Sequence, residues 1–218
     1  MSNGAWQLIN IFAKKKMYKK AHWFTGIAVS VFIAFHLFNH LMGWYGIETH
    51  QKILEAFRTV YRNIFVEIVL VASFLFQAYS GIRLFLQKRK KKTVSTFEKI
   101  QMYSGLLLGL YVIQHIAASI GQRLYFKFDT NFYFASRVVL QSPWKFFFIP
   151  YYFIGVTAVG IHIAATHKAK ITPAIGPKKA LLHFYLITGM SVIIASVILY
   201  ILMGGRYEII IPERYNVY

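Results

Sequence analysis

A chain of 218 residues that is 57% apolar and only 15% charged is too hydrophobic for an ordinary water-soluble domain. Its net charge of +18 is high enough for a nucleic-acid binder, but the basic residues are gathered in short runs between apolar stretches, which argues for a membrane surface instead. The absence of cysteine excludes thiolate-ligated haem, cysteine-held iron–sulfur clusters, disulfides and thiol catalysis within this chain.

A bilayer core asks for about 20 mostly apolar residues per helix. Five windows meet that demand: 22–44, 64–86, 100–121, 146–167 and 180–203. Residues 1–20 precede them as a basic interfacial segment, with a helix over 5–16 expected to lie on the inner face. Between the first two windows, KILEAFRTVYR places Ile53, Leu54, Phe57, Val60 and Tyr61 at helical spacing, which predicts a short amphipathic helix on the outer interface. The 122–143 connection is long and aromatic, and its pattern defines no element. Pro143 and Pro150 flank the entry to the fourth window, and TPAIGP predicts a tight, stiff loop before the fifth. Gly204–Gly205 ends the last helix, leaving 204–218 as an outer tail.

Alternate connections carry the basic clusters KKKMYKK, QKRKKK and HKAKITPAIGPKK, which together with nearby residues hold 16 of the 25 Lys and Arg. The positive-inside rule then places the N-terminus in the cytoplasm and the C-terminus outside. The expected fold is a single all-α membrane domain of five transmembrane helices, with its basic clusters resting on anionic lipid and no role for nucleic acid.

The windows are not plain anchors, because they carry histidine. His36 lies 16 residues beyond Lys20, and His115 lies 16 residues beyond Lys99 on a helix running the same way. At 1.5 Å per residue both imidazoles sit about 24 Å from a basic anchor, hence level with each other. A neutral imidazole in hydrocarbon needs both nitrogens satisfied, and two at one depth suit a bis-histidine haem b. The plainer reading makes each a hydrogen-bonded packing residue. His40 shares the His36 face one turn on, while His22 shares it near the inner headgroups. His162, His167 and His183 lie towards the inner side, and His50 lies in the outer loop. Glu67, at the outer end of the second window, is expected to pair with Arg62 or Arg58, or to accept protons beside a quinol site. No adjacent histidine pair is present, which argues against a di-iron desaturase, and the absence of His-Glu-x-x-His argues against a zinc protease.

The ordered pattern resembles the five-helix cytochrome b membrane anchor of succinate:menaquinone oxidoreductases and fumarate reductases. KKAHWFTG, AFHLFNH, VEIVLVASFLFQAYSGIRLF, LGLYVIQHIAASI and FIGVTAVGIHIAATHKAKITP carry the similarity, over residues 19–203. The resemblance implies haem b held by His36 and His115 as iron ligands. It implies His162 as a ligand of a second, inner haem, whose partner position is Gln77 here. That haem is then lost, five-coordinate, or completed by another inner histidine such as His183 or His167. His22, Arg83 and His183 are the candidate contacts for propionates or quinone. Thr166–His167 stands where the family more often has Asn-Gly. The implied function is electron transfer between menaquinone, or another quinone, and cytoplasmic flavoprotein and iron–sulfur subunits at a bacterial cytoplasmic membrane, with no catalytic residue in this chain. Two other classes remain open: a stand-alone haem-binding membrane protein, as carrier or sensor, and a transporter whose histidines relay protons.

Overall fold

The computed structural model describes residues 3–215, with side chains from position 17 onward. All regular structure among these residues is helical. Six α-helices follow in order: α1 (Asn3–Met42), α2 (Ile47–Tyr61), α3 (Ile64–Lys88), α4 (Thr96–Leu124), α5 (Phe132–Leu140) and α6 (Lys145–Leu202). Four of them, namely α1 from Met17 onward, α3, α4 and α6, are long and apolar enough to cross a membrane.

Local chemistry sets several boundaries. Asn63 caps α3 by accepting from the Phe65 amide at 3.1 Å. Ser95 and Glu98 form a reciprocal capping box at the start of α4. The aromatic 122–143 connection contains α5, capped by Asn131. Residues 5–16 are not a separate interfacial helix: the backbone runs without a break from Asn3 to Met42. No proline or glycine pair interrupts it near the lysines, so the helix of the span simply continues outward.

The TPAIGP segment is likewise no loop. Helical backbone continues to Gly176, whose φ of 79° and ψ of 164° form a one-residue hinge in α6. Pro173 and Pro177 flank it, and each removes a backbone donor where the helix would otherwise continue straight. A straight helix of 58 residues would measure about 87 Å. Instead its two arms fold onto each other, as contacts between residues on opposite sides of the hinge show. His167 Nε2 lies 3.1 Å from His183 Nδ1, and the Gly160 Cα packs directly on Ser191.

Packing in the spans is inverted relative to a water-soluble protein. Buried positions hold small residues: Ala78, Ser80, Ala158, Ala164, Ala165, Ala180 and Ala195. Large side chains such as Phe24, Ile68, Val69, Leu186 and Ile193 face outward. In lipid there is no hydrophobic drive between helices, so close backbone approach and interhelical hydrogen bonds hold the bundle. At the α1–α3 crossing the Gln77 amide donates to the His22 carbonyl at 2.6 Å and to Thr25 Oγ1.

At the end of the bundle remote from the lysine-rich loops, α2, α5 and the C-terminal segment form a cap with an ordinary apolar core. Phe132, Val139, Ile201 and Leu202 are buried there, with Tyr215 buried beside them. Helix α2 is amphipathic, but its buried face is His50, Leu54 and Arg58, while Val60 is exposed. Arg58 turns inward because Asp129 Oδ1 at 2.7 Å and Glu55 Oε1 at 2.5 Å pair with its guanidinium.

Candidate functional site

His36 on α1 and His115 on α4 face each other with ring centroids 6.0 Å apart and planes at 72°. Each is backed by an aromatic ring one turn earlier on its own helix. Phe32 stacks on His36 at 6.0 Å and Tyr111 on His115 at 5.6 Å, both within 12° of parallel. Tyr111 is itself wedged against Gly155 of α6, where a methyl group would meet the ring at 2.3 Å. Both imidazoles are enclosed by the bundle yet keep accessible surface, as side chains lining a gap do. Neither has a hydrogen-bond partner among the described residues. Two apposed imidazoles without polar partners are costly in an apolar bundle unless something between or beside them takes up their nitrogens.

The separation can be tested against an iron porphyrin. A metal–imidazole bond is about 2 Å, and the ring centre lies about 1 Å further on, so two axial rings would have centroids about 6 Å apart. The His36–His115 distance fits, whereas His36 and His40 at 4.8 Å share one helix face and are too close. Polar atoms nearby fit the rest of such a group. Asn39 Oδ1, His40 Nδ1 and His50 Nδ1 are buried without a hydrogen-bond partner among the described residues. Asn39 Nδ2 and His50 Nε2 meet at 3.1 Å, and the His40 and His50 rings lie 5.4 Å apart.

His50 was legible in the sequence only as a loop histidine. Its spacing of four and eight residues from Leu54 and Arg58 is the signal that places it on the buried face. Burial in the cap, with the His36 and Arg58 charges adding to it, pushes its pKa down to about 4. The folded value lies below the unfolded one, near 6.5, so His50 supports the fold fully above that pH and progressively less as pH falls towards 4. Acidification from pH 7 to pH 4.5 is expected to lower the melting temperature of the detergent-solubilised protein more than that of His50→Gln. Equal pH dependence in the two proteins would show that His50 is not the buried neutral group described.

Nearer the lysine-rich end, His162 on α6 and His22 on α1 form a second feature. His162 Nδ1 donates to the Gln101 carbonyl at 3.1 Å and also approaches Ser104 Oγ. Ser80 gives its proton to the Phe76 carbonyl at 2.5 Å, so its oxygen accepts from His22 Nδ1 at 2.6 Å. Both imidazoles therefore carry their proton on Nδ1 and present Nε2 without a partner among the described residues, the tautomer that a metal ligand needs. Each is packed against a glycine, His162 on Gly105 and His22 on Gly81.

Gln77 does not point to iron chemistry, because its amide is spent on the α1 backbone and Thr25. His167 and His183 bond to each other and stack within 12° across the two arms of α6. His167 and His183 are thus engaged with each other, whereas His22 and His162 are each held through Nδ1. Arg83 is exposed and lies over the rings of Tyr18 and Tyr79, as a snorkelling side chain does. Glu67 pairs with Arg123 of α4 at 2.5 Å rather than with Arg58 or Arg62, which are turned to Asp129. Separation along the chain favoured the nearer arginines, but the α3–α4 packing brings Arg123 across.

Among the described residues the chain is an all-helical bundle with four helices long and apolar enough to cross a membrane, and it brings two imidazoles of different helices together. No family model, curated protein or solved structure matches it.

Proposed function

We propose that the protein is a membrane-bound b-type cytochrome with haem b held by His36 and His115. The observation that carries the reading is the 6.0 Å apposition of these two rings, each backed by an aromatic and neither hydrogen-bonded among the described residues. Haem, when bound, supplies a one-electron carrier. The chain's own residues do the rest. Phe32 and Tyr111 hold the imidazole planes, the small-residue bundle and the cap exclude water, and His40, His50 and Asn39 offer polar contacts for propionates. Should a second haem be held nearer the lysine-rich end, His162 and His22 are the pair equipped for it.

In this reading the two arms of α6 are separate crossings, so the chain spans a bacterial cytoplasmic membrane five times with its lysine-rich loops in the cytoplasm. Following the resemblance, the protein serves as the anchor of a quinone-linked succinate dehydrogenase or fumarate reductase, passing electrons between quinone and cytoplasmic flavoprotein and iron–sulfur subunits. A second reading, a haem protein without dehydrogenase partners, is favoured by one observation: Gln77, where the family has a ligand, is tied into the α1–α3 contact.

Pyridine haemochrome analysis of the purified protein tests the first step, with at least one iron porphyrin per chain expected and none overturning the proposal. Gentle purification tests the second. Co-purifying flavin and haem reduction by succinate support the anchor role, whereas haem-loaded protein that lacks both selects the stand-alone reading.

A further inference from the structure

Where α3 ends and α4 begins, the chain forms a cleft of about 660 Å³ whose walls include Arg89, Lys91, Lys92 and Lys99. None of these four cations has an acidic partner among the described residues. Glu98, the only acid in the wall, is already engaged by Lys88 at 3.6 Å and by the Ser95 cap. The helix N-terminus is likewise occupied by that capping box, so the attraction comes from side chains rather than from free amides. Four unpaired cations crowded into one concavity repel each other and stabilise an anion placed among them.

The cleft is not polar throughout. Val94, Met102 and Tyr103 also line it. From Tyr103 an exposed apolar strip runs up α4 through Leu107 and Leu110, which share its face, with Leu86 of α3 alongside. The Phe85 and Tyr103 rings, 5.6 Å apart, join the two helices at the top of the cleft. A basic concavity at the end of two membrane-crossing helices, opening onto a lipid-facing apolar strip, matches a molecule with a phosphate at one end and acyl chains at the other.

We propose that this cleft is a specific site for an anionic phospholipid, with the phosphate among Arg89, Lys91, Lys92 and Lys99 and the acyl chains along Tyr103, Leu107 and Leu110. The site is independent of haem. It is also more than general attraction of lysines to a charged membrane, because its cations share one concavity with the apolar side chains of Val94, Met102 and Tyr103.

The test uses the full chain in detergent, mixed with phosphatidylglycerol or phosphatidylcholine and analysed by native mass spectrometry for retained lipid. Wild type is expected to retain phosphatidylglycerol over phosphatidylcholine. Lys91→Gln with Lys92→Gln is expected to lower that retention roughly tenfold or more, because each lysine near an anionic headgroup matters measurably. Lys178→Gln with Lys179→Gln, which removes the same charge, is expected to leave it unchanged. Equal losses in the two double variants, or no loss in either, would overturn the proposal. Excess inorganic phosphate should not displace the lipid. Displacement by phosphate alone would make the cleft a free-anion site and overturn the lipid assignment.

Discussion

Replacing His36 or His115 by alanine is expected to abolish the reduced b-type absorbance of the purified protein and to lower haem content to near zero. The two imidazoles are on different helices, so each variant removes one of two iron ligands and leaves the other ring at the edge of an enlarged gap. A control of equal chemistry is available in His167→Ala, which removes an imidazole from the α6 hairpin and should leave haem content unchanged. The contrast separates loss of a ligand from loss of the fold, because all three variants delete the same side chain. If His36→Ala and His115→Ala both keep full haem, the proposed centre is wrong. A haem that persists but changes spin state in only one variant would mean that the remaining imidazole suffices for retention, and not that the pair is irrelevant.

The second large effect concerns the hairpin of α6. Gly160→Ala would place a methyl carbon 2.2 Å from Ser191 Cβ and 2.3 Å from its hydroxyl oxygen. Ser191 is buried and fixed by donation to the Thr188 carbonyl at 2.7 Å, so it cannot swing aside without losing that bond. Overpacking at a site of this kind costs about 1–3 kcal/mol, and the upper end is expected where two backbones meet. The measurement is thermal unfolding in detergent, with a clear fall in melting temperature for Gly160→Ala. Adding Ser191→Gly should recover most of the loss, since it removes the atoms that the methyl would strike. Failure of that rescue would mean that the arms do not pack as described.

Much of this architecture is written in local chemistry. The apolar windows, the lysine runs between them, the capping residues Asn63 and Ser95, and the helical spacing of His36 and His40 are all properties of short segments. They persist whatever the chain packs against, because hydrogen bonding within a helix and the length needed to cross a bilayer do not depend on partners. The level placement of His36 and His115 followed from counting residues from lysine anchors, and the two rings do face each other.

Other features needed the third dimension. A proline–glycine run reads as a loop, but the arms on either side are long enough to stay helical up to the single residue that bends, Gly176. On α2 the expected Ile53, Leu54, Phe57 and Tyr61 are buried or half-buried, but the inward face also takes in an arginine and a histidine, which do not look apolar. Each is buried only because Asp129 and Asn39, distant in sequence, supply the partner that makes burial tolerable. The bonds of His22 to Ser80 and of His162 to the Gln101 carbonyl, the turning of Gln77 into the α1–α3 contact and the reach of Arg123 to Glu67 likewise depend on which helices are neighbours. Sequence alone determined that this is a chain of helices long and apolar enough to cross a membrane, with histidines spaced along them. Tertiary structure decided which imidazoles meet, because in lipid the helices are brought together by small residues and hydrogen bonds whose register no single segment contains.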